Sequence, residues 1–191
     1  MILRSFIFIS LFSFLFIIPA YAADDWCIQN PMYPPCGGFP GACTINSDGS
    51  LGGFVAETAY VESVMLSGLR YNTPYIGLNA SICENAMITE NAKVLRNAQV
   101  TGNAWVAGNA WIYGYAWVYG YAQVFGNAWV YGYTQVYGYA QVTGDAQISG
   151  YAQVFGNARI YGDALIFGNT KVAGTARIFG NDIIGTGDYG F

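Results

Sequence analysis

The 191-residue chain contains no histidine, and charge of either sign is scarce, with seven Lys and Arg against eleven Asp and Glu, or 9 % of all residues. Without imidazole there is no Ser-His-Asp or Cys-His relay and no His-based metal set, so the sequence offers no catalytic residue of these kinds, no metal ligands and no cofactor site. No Gly-rich loop opens onto a helix to cradle phosphate. The basic residues form no patch, which disfavours nucleic acid and anionic membrane surfaces as partners. A long apolar run occurs once, from Ser5 to Ile18. Arg4 precedes it and Ala20-Tyr21-Ala22 follows as a small-x-small site, so residues 1–22 read as a signal peptide cleaved after Ala22, with an uncleaved anchor as the alternative. Asp24, Asp25 and Trp26 before Cys27 are not a lipoprotein signal. The expected location is secreted or periplasmic, with no integral membrane segment after cleavage.

What the chain has in abundance is one phrase. From Asn79 to Gly180 it repeats Asn-Ala-x-Val-x-Gly seventeen times without insertion. The fourth position is Val or Ile in every copy, and the second is Ala in fifteen, with Thr134 and Thr170 the exceptions. Two inward residues flanking one outward residue is the period of a strand, and the Gly-Asn that follows is a turn signal. Each hexad is a short strand plus a bend. So short a strand buries nothing alone, and successive turns must stack into a solenoid. With about 120° per hexad, three hexads make a coil of roughly 18 residues, coils stack ~4.8 Å apart, and seventeen hexads build nearly six coils.

Corners with φ > 0 suit Gly and, less well, Asn. The sixth position is Gly in fourteen hexads; the exceptions Glu84, Glu90 and Arg96 each precede an Asn, Asn85, Asn91 and Asn97, which is expected to take over the bend. The eighteen-residue phasing stacks Asn91, Asn109, Asn127, Asp145 and Asp163 along one edge and Tyr115, Tyr133 and Tyr151 along another.

This pattern resembles the hexapeptide-repeat superfamily of left-handed parallel β-helices, which includes acyltransferases of lipid A synthesis and gamma-class carbonic anhydrases. The resemblance covers 102 residues and implies an all-β fold, a single left-handed parallel β-helix of about 18 residues per coil, and a homo-trimer packed side by side. It implies little about function. Such acyltransferases use a His base and the anhydrases three His ligands, and neither set exists here. A carboxylate base at Asp145 or Asp163 is conceivable, against the plainer reading of these residues as corner substitutes for Asn. An acyltransferase-like enzyme is therefore the alternative reading.

The flanks divide into residues 23–51, a Cys-, Pro- and Gly-rich cap; residues 52–78, irregular first coils; the repeat at 79–180; and a tail at 181–191 that is expected to cover the last coil. Cys27, Cys36, Cys43 and Cys83 are disulfide candidates with three possible pairings, expected to staple the cap in an oxidising compartment. Gly52 to Ser63 carries the repeat offset by three residues, in Val55 and Val61, and Ser67 to Thr73 is the expected excursion that absorbs it; a helix over Val55 to Met65 is the competing reading.

Outward positions are heavily aromatic. Trp105, Trp111, Trp117 and Trp129 precede the inward aliphatic residue, and Tyr113, Tyr119, Tyr131 and Tyr137 are among those that follow it. These eight are the expected binding surface, for copies of the same chain, a polysaccharide or a surface protein, with simple structural stacking as the alternative. Ice binding is disfavoured, because the outward rows lack regular Thr. The leading function is a non-catalytic secreted structural or binding protein.

Overall fold

The computed structural model describes residues 41–66 and 69–190. The signal-peptide segment, Cys27 and Cys36 lie outside them. Every element described is a strand. Each inward Val or Ile sits on a two- to four-residue strand whose only in-coil continuation is a bend, so pairing comes from the coils above and below. Three parallel faces result. The first runs from Leu51–Ala56 through Ser81–Ile82, Gln99–Val100, Trp117–Val118, Gln135–Val136, Gln153–Val154 and Lys171–Val172 to Asp188–Tyr189. The second runs from Tyr60–Val61 through Trp105–Val106 to Arg177–Ile178, and the third from Tyr75–Ile76 through Trp111–Gly114 and Trp129–Gly132 to Ile183–Ile184. Partners within the repeat differ by eighteen positions, as in Trp111 with Trp129 and Val124 with Val142.

Inter-coil hydrogen bonds hold this register. Gln123 N donates to Ala140 O at 2.9 Å, Phe125 N to Val142 O at 2.9 Å and Asn127 N to Gly144 O at 2.8 Å, and the set recurs around the helix. The interior is a column of Ala and Val or Ile, broken by Thr134, with its side chains fully buried from Ile82 to Ile166. Thr134 and Thr170 replace Ala at no cost in unsatisfied polarity: each hydroxyl, itself buried, donates to the carbonyl three residues earlier, Tyr131 and Phe167.

The flanks and three of the corners differ in places from expectation. Gly41–Ile45 (β1), inside the Cys- and Pro-rich segment, is a strand, paired antiparallel with Leu51–Ala56 (β2). Gly52 to Ser63 carries the repeat as expected, with Val55 and Val61 paired with Ile82 and Ile88, and the competing helix over Val55 to Met65 does not form. The excursion begins before Ser67, because Ser63–Leu66 and Leu69–Asn72 pair as an antiparallel hairpin closed by Thr73 N donating to Glu62 O. The hairpin separates Val61 from Ile76 by fifteen positions instead of six, which absorbs the offset. The tail covers two edges of the last coil as further strands, Ile183–Ile184 on the third face and Asp188–Tyr189 on the first. Positive φ also stays on Glu84, Glu90 and Arg96 themselves, at 54°, 60° and 60°, and Asn85, Asn91 and Asn97 do not relieve them.

Neither Cys43, in β1, nor Cys83, on the first face, is a free thiol.

Candidate functional site

The eight aromatic residues expected to bind are distributed over all three faces. Trp105 lies on the second, Trp117, Tyr119 and Tyr137 on the first, and Trp111, Trp129, Tyr113 and Tyr131 on the third. Only the last four form one compact patch. They stand on the two longest strands of the repeat, Trp111–Gly114 and Trp129–Gly132, paired residue for residue. The indoles of Trp111 and Trp129 stack with centroids 5.3 Å apart and planes 10° from parallel, the phenols of Tyr113 and Tyr131 at 4.9 Å and 2°, and Tyr113 meets Trp129 edge-on at 6.3 Å. Lys93, one coil above, closes the top of the indole pair with its ammonium 4.3 Å from the Trp111 ring. That residue was not singled out in the sequence, although its spacing of eighteen from Trp111 is the signal.

Elsewhere the rings make ladders of a simpler kind. Tyr119, Tyr137 and Phe155 stack at 4.8 and 4.9 Å on the first face. Tyr115, Tyr133 and Tyr151 stack along one corner at 4.9 and 5.1 Å, and Tyr121 with Tyr139 along the next at 5.0 Å. Trp105 is edge-on to Phe125 and donates its Nε1–H to Thr89 Oγ1 at 3.1 Å; Trp117 leans on Tyr119. Within each ladder the ring surfaces that face one another are taken up, so the outer faces of the end rings, the ring edges and the hydroxyls are what remain. Burial raises the pKa of Tyr113 and Tyr119, with a smaller contribution from the phenols of Tyr131 and Tyr137 beside them, so these hydroxyls stay neutral.

The expected polar edge is present. Asn91 Nδ2 donates to Asn109 Oδ1 at 3.3 Å, Asn109 to Asn127 at 3.0 Å and Asn127 to Asp145 at 2.7 Å. The run ends there because Asp145, unlike Asn, carries no amide N–H to donate to Asp163. These two carboxylates thus occupy corner positions in a structural ladder, and among the described residues no group of three potential metal ligands exists.

Charge near the patch is confined to its upper rim, where Lys93 caps Trp111 and Arg96 acts on the Tyr113 phenol. Residues 97–144 contain no Asp, Glu, Lys or Arg, so the middle coils carry only aromatic, amide, hydroxyl and apolar groups. The chemistry available there is dispersion, ring stacking and neutral hydrogen bonding.

No curated protein and no solved structure matches the chain. A family model described as the YdcK beta solenoid repeat matches residues 122–138 and 152–166, and the chain is in those stretches similar to a β-solenoid.

Proposed function

We propose that this is a non-catalytic, exported β-solenoid whose third face is an association surface for further copies of the same chain, three of them packed side by side with parallel axes. The observation that carries the reading is the Trp111, Trp129, Tyr113 and Tyr131 patch on the two longest strands, in the middle of 48 consecutive residues without charge. Protein interfaces are enriched in Tyr and Trp and depleted of charge at their centre, and this patch has that composition. The stacked rings present edges and hydroxyls in evenly spaced rows, a surface suited to interdigitation with a like surface. In this reading the helix winds left-handed, and Cys43 and Cys83 belong to a disulfide-stapled cap with Cys27 and Cys36, as export to an oxidising compartment allows.

A second reading, binding of neutral polysaccharide by the same rings, is favoured by the part of the Trp129 ring left open to solvent, 39 % of the residue. It competes poorly at the ring faces that Trp111 with Trp129 and Tyr113 with Tyr131 turn toward one another. Sedimentation of the mature protein separates the two. Self-association predicts trimers for the natural chain and monomers of lower stability for Trp111→Ser with Trp129→Ser. A monomeric natural protein that loses polysaccharide binding on the same double change, with its melting unaltered, replaces the first reading by the second.

A further inference from the structure

The acidic chain carries a basic pair on the second face, below the aromatic zone. Arg159 and Arg177 are paired one coil apart in parallel register, with both side chains exposed. Their backbones lie one coil spacing apart, ~4.8 Å, so two like charges share one stretch of surface and gain from an anion placed between them. Among the described residues neither side chain takes part in a hydrogen bond or ion pair that would offset this. Tyr161 and Phe179 stack alongside at 5.5 Å, and above them Gln141, which hydrogen-bonds to Gln123 at 3.2 Å, and Thr143 complete the wall of a shallow depression of about 230 Å³.

We infer that this depression binds a carboxylate-bearing sugar, a uronic acid unit, with the carboxylate bridged by Arg159 and Arg177. The fork of an arginine matches a carboxylate in two parallel hydrogen bonds, and both arginines line the same depression from adjacent coils. The flanking groups specify the rest of the ligand. Gln141 supplies an amide and Thr143 a hydroxyl, neutral partners for ring hydroxyls, and the Tyr161 ring, 38 % exposed, offers an apolar plane beside them. The volume lies below the ~300–1,000 Å³ typical of sites for drug-sized ligands, so one ring is the unit bound, either free or within a chain. Neither Arg belongs to the third-face patch, and the inference does not depend on self-association.

The test is calorimetric titration of the full mature protein with glucuronate, a polyuronate, glucose and inorganic phosphate, repeated on Arg159→Gln with Arg177→Gln and on Arg159→Lys with Arg177→Lys. Gln already occupies the preceding rung at Gln141, so the first pair keeps the fold, which circular dichroism and melting check. The expected result is binding of glucuronate and polyuronate but not glucose, weakened by salt, and reduced about ten- to a hundred-fold by the Gln pair and partly by the Lys pair. Tighter binding of phosphate than of glucuronate, equal binding of glucose, or uronate binding unchanged in the Gln pair overturns the assignment, and so does an absence of any binding. Each of these outcomes leaves the sedimentation result, and with it the association reading, standing or falling by itself.

Discussion

At the scale of single residues the sixth position of each hexad decides whether the prism can turn. Gly126 has φ of +71°, and a Cβ placed there would meet Gly144 O at 2.9 Å and Gly144 N at 3.0 Å. Two independent reasons thus demand glycine. Gly126→Ala is expected to cost about 2 to 4 kcal/mol, combining left-handed strain with overpacking, as a fall in melting temperature or denaturant midpoint. The converse applies at Glu90, held at φ of 60° in the first repeat coil. Glu90→Gly removes ~1–2 kcal/mol of backbone strain and adds ~0.5–1 kcal/mol of chain entropy, so it should stabilise by up to about 1 kcal/mol. The sequence pointed to the corner but not to the residue that bends: corner position is set by the hydrogen bonds to the next coil, and Asn91 N must donate to Gly108 O whatever precedes it. Inward and outward positions, by contrast, were legible from period alone. Ala128, fully buried, is expected to lose ~1 to 3 kcal/mol on replacement by Leu, whereas Gln141→Leu on the outer surface should cost little; equal losses in chemical denaturation would reverse the inside-outside assignment.

Among the elements, the informative one is the lid over the first coil. The third face begins at Tyr75–Ile76, which has no described strand above it, and the buried side chain of Asn46 stands in for the missing peptide. Its Nδ2 donates to Ile76 O at 3.1 Å and its Oδ1 accepts from Ile76 N at 2.8 Å, while Asn46 N and Ser50 O, 3.0 Å apart, pin the turn between β1 and β2. An amide, with one donor group and one acceptor group, is the side chain able to satisfy both backbone groups at once. Asn46→Leu should therefore orphan two buried backbone groups and cost about 2 to 5 kcal/mol, against at most about 1 kcal/mol for Asn127→Ala in the exposed ladder; comparable midpoints for the two variants would remove Asn46 from this role. Nothing in the local sequence signals it. Asn46 lies outside the hexads, and its partner is thirty residues away, beyond a hairpin whose length periodicity does not report. The hairpin itself was legible only as a phase error of three residues, because its strands pair with each other and owe nothing to the eighteen-residue rule.

For the whole molecule, the phasing that made the aromatic and Asn ladders predictable also governs how the fold comes apart. Each coil touches only the coils above and below it, so stability is close to a sum of nearest-neighbour terms, and opening is expected from an end. The two ends are unequal. The first coil is closed on its first face by β1 and on its third by Asn46, leaving only Tyr60–Val61 paired on one side, whereas Arg177–Ile178, Ile183–Ile184 and Asp188–Tyr189 all pair on one side only, Ile183 is 72 % exposed, and the step from Val172 to its partner Tyr189 spans seventeen residues instead of eighteen. The final coil is thus one residue short of the register that serves the rest, and Phe179 and Ile183 are left largely in solvent. Amide exchange should be slowest from Ala98 to Ile160, where both neighbouring coils are complete, intermediate near Ile76 and Ile82, and fastest from Asp182 to Gly190. The ordering follows from the number of packed neighbours rather than from residue type, since Val and Ala fill every level. Asymmetric fraying, read as protection that decays toward residue 190 but not toward residue 51, is the expected signature, and uniform protection along the chain would mean that the prism opens as a single cooperative block.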